Sequence, residues 1–596
     1  MSAVPSSPAP SGTRDVNLDD LISQIDSKPV FHLPVVGAVV DALHITEVID
    51  ELCPQDPRAR VSDAACVKLM VLNILQGRVA LYRMDRWLDR TDPEVLLGPG
   101  CAADAFSDAR LAAALDHLYE AGTDEVFTGV MVRYLQDWQA ATGTSDLTLH
   151  QDTTSISVYG EYSGLDDNFG PTPMLGFSKD HRPDLKQLIF GLTLHGATAM
   201  PLFGTMLDGN YPDGRANRLH VQSLAELLPE DGEVTVVGDC KLVDTFTLEH
   251  LASHGWHFVS LVPNTFAVRR ALIERVRDEG IELPLLWEGP GRHKGEVRRY
   301  HGASFEVPLT QEGEQAYRHL VVRSDQLLGQ FERALPDKLT KEAVRVDKAV
   351  RKLAVKGFSC REDAEAAVGR VMDKVRLHRV EVAYEAQEVK LKRSRPGRPR
   401  KGEVTPTATV WRPRRVAVEP DDALIEQERL IAGHFVLVTD HLDRETWPDE
   451  RILAEYRHQH AVEGHTGFRW LKNDAAVAPV FLKKPHRIAA LGMVMLLALA
   501  VRNYIQYQLR TRLEATGRAV DDRKGRPTAR PTTETAFLGF DGVLLLRVVD
   551  GGRVLQRRAQ GVDGHCRTVL DMLGLTEDIL TSPPAIRKPS PSAAGP

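Results

Sequence analysis

The chain is short of cysteine, has no excess of positive charge and contains no hydrophobic run long enough to cross a bilayer. Its six cysteines, Cys53, Cys66, Cys101, Cys240, Cys360 and Cys566, are scattered among 596 residues without a CxxC pair. That excludes a disulfide framework and the usual zinc modules, and a reducing cytoplasm is the compartment expected. The strongest apolar run, Ile488 to Val501, is fenced by Arg487 and Arg502 and falls below the ~18 residues of a spanning helix, so a buried helix and no membrane association are expected. The amino terminus, MSAVPSSPAPSGTRDVNLDD, has no apolar core behind a basic start and reads as a flexible tail, not a signal peptide. A net charge of −8 argues against a uniformly basic nucleic-acid binder. Phosphate contact depends, however, on local clustering of Lys and Arg and not on their total.

What is present is the balance of a soluble globular protein, 43% hydrophobic and 26% charged. The length suggests three or four structural units. Residues 1–30 read as the tail. From 31 to 140 nearly every segment has helical spacing, with start signals at Ser62-Asp63 and Ser107-Asp108. DNA-end binding, dimerisation and a plain scaffold are all open as roles for this helical domain. At Asp146 the texture changes to runs rich in Thr, Val, Ile and Leu: LTLHQDTTSISVYG, KQLIFGLTLHG, PLFGTML, EVTVVGD and WHFVSLVP. Helical stretches separate the third, fourth and fifth of these, which predicts an α/β core with a mixed sheet over residues 141–264 and 434–512. Residues 265–433 read as an insertion in which the strand pattern stops and a charged helix runs through REDAEAAVGRVMDKVRLHRVEVAYEAQE. It closes with a basic linker over 390–415. Residues 513–596 form a carboxy-terminal region with a disordered tail.

Two acids stand out. Asp152 lies in the middle of a strand-like run, where a carboxylate is unfavourable unless a positive group compensates for its desolvation. Asp239 ends the strand EVTVVGD, where an α/β sheet presents residues to a crevice. Either could equally cap a turn. Glu463 shares a helical face with Tyr456 and Gln459, which alone marks an ordinary surface glutamate. Three converging carboxylates would suit a hard divalent cation, and two such ions can drive in-line phosphoryl displacement. His458, His460 and His465 surround Glu463 without a zinc-site spacing.

Four stretches carry a resemblance: LHQDTTSISVYGEY with Asp152, GFSKDHRPDLKQL at Gly176 to Leu188, VVGD with Asp239, and YRHQHAVEGHTGFRWLKN followed by FLKKPHRIAAL. Together they resemble the DDE transposases of bacterial insertion sequences, in the superfamily with a Tyr-Arg-Glu-Lys-type motif near the third acid. The resemblance covers roughly Asp146 to Leu509. It implies a ribonuclease-H-like catalytic core with an insertion before the last acid, and Asp152, Asp239 and Glu463 as both catalytic triad and ligands of Mg²⁺, with Mn²⁺ as a substitute. It also implies an endonuclease and strand-transfer activity on the inverted-repeat ends of a mobile element. The partners would be double-stranded DNA, both terminal repeats and target, and a homodimer or higher oligomer on it, in a bacterial cytoplasm at the nucleoid.

Two positions depart from that motif: Gln459 stands where Arg is usual, and Trp470 where Lys is expected, with Lys472 two residues beyond. Tyr456 and Gln459 therefore count as motif support. Lys179, His181, Arg182 and Lys186 would grip DNA phosphates from a loop between two strands. The segment Lys390 to Arg415 holds three Lys and seven Arg against one Glu, a net charge of +9. Within it Arg395, Arg398, Arg400 and Lys401 resemble an AT-hook for the minor groove, or a solvated linker. Two other classes fit the same residues: a catalytically inactive DNA-binding protein derived from a transposase, and a structure-selective nuclease.

Overall fold

A computed structural model describes residues 24–53, 57–77, 79–158, 170–176, 184–228, 232–291, 296–310, 313–390, 407–464, 466–472 and 484–584. The chain forms two compact units, Met1–His257 with Glu455–Pro596, and Phe258–Ala454.

The first unit begins with a strand, β1 (Ile25–Pro29), which pairs antiparallel with Leu544–Asp550 near the other end of the chain. The tail expected over 1–30 thus gives way to sheet at Ile25, because a partner distant in sequence satisfies its backbone. Helices follow from Leu33–Ala42 to Thr123–Thr142. Ser62 and Ser107 both cap helices as their sequence signals predict, accepting from the amides of Ala65 and Arg110.

Four strands come next: β2 (Leu147–Val158), β3 (Lys186–His195), β4 (Pro201–Leu207) and β5 (Val234–Gly238). They lie in the order β4-β3-β2-β5. The first three neighbours are antiparallel and β5 runs parallel to β2. The helix Asp213–Leu227 makes the crossover from β4 to β5. It packs on the face of β2 that carries Gln151, whose Nε2 donates to the carbonyl and side-chain oxygens of Asn217, each at 3.1 Å.

The apolar run at Ile488 lies within a longer helix, Pro485–Thr516. Contrary to the length read from the apolar run alone, it is the one continuous helix among the described residues long and apolar enough to cross a membrane, and 83% of its most apolar stretch is buried inside the molecule. Arg502 does not fence this helix. It sits within it, 1% exposed, its charge balanced by a carboxylate from another segment. The amino-terminal end is fixed by Asp116, which accepts two hydrogen bonds of 2.6 Å from the Arg487 guanidinium and contacts His486 at 3.0 Å.

The second unit contains five antiparallel strands in the order His257–Leu261, His434–Thr439, Ala316–Ser324, Val297–Pro308 and Leu285–Pro290. Strand structure therefore continues past Asn264, contrary to the sequence pattern. The charged helix read through Glu388 ends at Met372, and His378–Lys390 is a strand paired antiparallel with Thr407–Pro420. The basic linker is consequently extended ribbon from Thr407 onward. Glu, Ala and Gln favour helix, but Val380, Val382 and Val418 gain burial against Val346, Val350 and Val375, and tertiary packing overrides local preference.

Candidate active site

The parallel register of β2 and β5 runs from Leu147 opposite Val234 to His150 opposite Val237. Carried two residues further, it sets Asp152 level with Asp239, on neighbouring chains spaced about 4.8 Å apart. Alternation along β2 puts Asp152 on the same face as His150 and opposite Gln151. His150 Nε2 lies 3.8 Å from Glu455 Oε2, so that face looks toward the helix Asp449–His458.

That helix stops at His458. A single turn at Gln459 leads into the short helix His460–Glu463, and Gly464 ends it in extended conformation. The uninterrupted helix expected to align Tyr456, Gln459 and Glu463 is therefore broken. Gln459 is buried and its amide donates to the Tyr456 carbonyl at 3.2 Å, so it serves the turn. Gly467 is required where the chain folds back: a Cβ there would stand 2.0 Å from the Val462 carbonyl oxygen. The following turn, Phe468–Leu471, buries Phe468, Trp470 and Leu471.

The consequence is one cleft of about 1090 Å³ lined by Asp152, Asp239 and Glu463 together. Asp152 and Asp239 are half-buried and Glu463 is exposed. Asp152 accepts from the Thr153 amide at 2.7 Å, and Asp239 from the Lys241 amide at 2.9 Å, which orients one oxygen of each. Burial, followed by the negative charges of Asp239, Cys240, Glu463 and Asp152, pushes the Tyr456 hydroxyl well above its ordinary range. Tyr456 thus shares the electrostatic surroundings of all three acids and stays protonated, a donor beside a cluster of acceptors. Burial, and then Asp239, pushes the Cys240 thiol up as well.

The same cleft holds Trp470 and Lys472, noted in the sequence at the departed motif position, and residues that sequence reasoning passed over: Thr153, Thr154 and Arg469 from the flanks of the acids, and Arg523, Thr532, Glu534 and Thr535 from the carboxy-terminal region. Glu534 accepts a bidentate pair from Arg502, Nε at 2.7 Å and Nη2 at 3.1 Å. Burial works against the Glu534 charge, but the Arg502 guanidinium outweighs it and holds the carboxyl below its usual range. The guanidinium also lies 5.5 Å from the Trp470 ring centre. Asn503 ties the Glu463 loop down, its Nδ2 donating to the carbonyls of Thr466 at 2.8 Å and Ala199 at 2.7 Å. A signal existed for this: an arginine inside an apolar helix demands an acid partner.

Lys186 is not in a loop. It opens β3 opposite Val158, six residues along β2 from Asp152, or roughly 20 Å at strand spacing. Lys179, His181, Arg182, Arg395, Arg398, Arg400 and Lys401 lie outside the described residues.

Residues 25–132 match a family described as a domain of unknown function (DUF4277). No curated protein matches the chain. Among solved structures it is similar to a chain in the cryo-EM structure of a piggyBac transposase synaptic complex with hairpin DNA, with 11% identity and a TM-score of 0.25. That likeness covers 47% of this chain and 60% of the other, less than two thirds of its length.

Proposed function

We propose that this protein is a DNA transposase of the DDE type, cutting and joining strands at the inverted-repeat ends of a mobile element with Asp152, Asp239 and Glu463. The observation that carries the reading is the meeting of these three acids, from segments separated by as much as 311 residues, in one cleft beside a protonated tyrosine. An antiparallel trio of strands joined through a helix to a parallel fourth supports a ribonuclease-H-like core.

The donor set suits a hard cation: three carboxylates offer oxygen only, and the neighbouring Cys240 thiol is kept protonated. Asp152, Asp239 and Glu463 would hold Mg²⁺ or Mn²⁺, which when bound supplies activation of an attacking oxygen and neutralises charge on the leaving one. The protein's own share is positional. Adjacent strands fix the first two carboxylates, Gly467 and Asn503 fix the loop that brings the third, and Tyr456 offers a proton for hydrogen bonding. Binding to terminal repeats and to target DNA, as a dimer or larger assembly, belongs to the same proposal.

The test is a plasmid excision assay with purified-protein cleavage of repeat-end DNA. Asp152→Asn, Asp239→Asn and Glu463→Gln should each abolish excision and metal-dependent cleavage, by at least about a thousandfold on the scale of lost electrostatic stabilisation, at wild-type protein levels. Retained excision in these variants would remove the triad. DNA binding by the wild type without any cleavage would instead identify a binding protein, the reading favoured by Gln459 and Trp470. Cleavage without strand transfer would identify a nuclease.

A further inference from the structure

The cleft presents an electrostatic problem. Three carboxylates and Glu534 line it, whereas a phosphodiester brings further negative charge. Arg502 is committed to Glu534, so that wall is neutralised and adds no attraction. Gln459 and Trp470, at the two motif positions where cations were expected, supply none, and Lys472, which also lines the cleft, is already engaged within the protein. Other arginines near the carboxy-terminal wall are engaged as well: Arg510 with the Pro531 carbonyl, Arg512 with that of Met572, Arg518 with Asp571 and Arg530 with Glu514.

Arg469 and Arg523 differ. Each lines the cleft, each is exposed, and neither makes an ion pair or side-chain hydrogen bond with any described residue. Their backbones are nonetheless held. Arg469 stands between the buried Phe468 and Trp470, so the turn that seats those rings turns the guanidinium outward. Arg523 lies in a tight turn in which Asp522 Oδ1 accepts from the amides of Lys524 at 2.7 Å and Arg526 at 2.9 Å, with Gly525 at φ +68°. Two uncommitted guanidiniums on anchored backbone, facing a group of carboxylates, are forked donors placed for phosphate oxygens.

We infer that Arg469 and Arg523 are the phosphate-gripping residues of the cleft. They would hold the nucleic-acid backbone on either side of the bond presented to the acids, replacing in space the cations absent at Gln459 and Trp470. The carboxy-terminal region is then part of the substrate site through Arg523. This inference rests on the proposed function, since it presumes a nucleic-acid strand in the cleft.

The experiment separates binding from chemistry. Fluorescence anisotropy of a labelled repeat-end duplex is recorded in EDTA across a salt series, for the full-length wild type, Arg469→Gln, Arg523→Gln, the double variant and both Arg→Lys variants. Each Gln variant should bind roughly tenfold more weakly and lower the slope of log affinity against log salt by about 0.9, as expected for one lost phosphate contact. The double variant should lose about twice that slope. Lysine should restore the slope, which a merely structural role would not predict, and thermal midpoints should stay at the wild-type value because both side chains are exposed. Wild-type affinity and slope in the double variant would overturn the inference while leaving the triad intact, as cleavage by the same preparation would show. Absence of any salt-dependent DNA binding by the wild type would overturn the proposed function along with it.

Discussion

At the scale of single residues, close approach and buried neutrality make the sharpest predictions. Gly467 has an ordinary negative φ, so its need for glycine is spatial: the Val462 carbonyl occupies the place of a Cβ. Gly467→Ala should therefore push the Glu463 loop out of register, lowering cleavage far more than DNA binding and costing about 1–3 kcal/mol by overpacking, read from urea unfolding. His220 is fully buried beneath β3, its Nδ1 3.0 Å from Thr193 Oγ1, and desolvation lowers its pKa from 6.5 to about 3. The unfolded chain binds that proton below pH 6.5 and the folded chain does not. Stability is therefore whole above 6.5 and declines as pH falls toward about 3, by up to ~1.4 kcal/mol per pH unit. His220→Gln should flatten this decline, measured as unfolding midpoints near neutral pH and about pH 5. An unchanged pH profile would place the charge elsewhere.

At the scale of elements, the helix Pro485–Thr516 supports the cleft from behind its lining, because successive residues on it hold two of the segments that line it. Arg502 holds Glu534 and stands under Trp470, while Asn503 holds the Glu463 loop through Thr466. Breaking this pair leaves a partly exposed carboxylate without its partner. Arg502 is buried but Glu534 is 37% exposed, so solvent screens the charge left behind; Arg502→Met should destabilise the protein by about 1–3 kcal/mol, and Arg502→Met combined with Glu534→Gln should recover a substantial part of that loss in thermal melts. If the double variant is no more stable than the single, the guanidinium acts mainly through its packing against Trp470 and not through Glu534.

At the scale of the whole molecule, the first unit is closed by segments far apart in sequence. β1 pairs with Leu544–Asp550, and Arg557 reaches Asp92 at 2.9 Å and Glu94 at 2.6 Å on a helix of the amino-terminal part. Removing everything after Thr516 would open that sheet edge, unpair Asp92 and Arg502, and delete Arg523. The truncated chain should lose soluble yield and bind a hydrophobic dye strongly, with cleavage and DNA binding falling together. A soluble truncation that retained the wild-type salt slope would mean that this region contributes neither closure nor grip.

Local pattern was enough to determine the helical texture before residue 142, the four strands from Leu147 to Gly238, the two serine caps and the burial of the apolar helix, since each rests on interactions within a few residues. It could nominate Asp152 and Asp239, and motif resemblance added Glu463. Only the tertiary structure decided that the three acids line one cleft, because the β2–β5 register and the tie from Asn503 to the Glu463 loop join segments distant in sequence. The same reason applies to the strands after Asn264 and at His378–Lys390, whose stabilising partners are distant in sequence. It applies above all to the carboxy-terminal wall: Glu534 and Arg523 carry no local mark of function, and their meaning comes from Arg502 and from the acids that chain folding brings beside them.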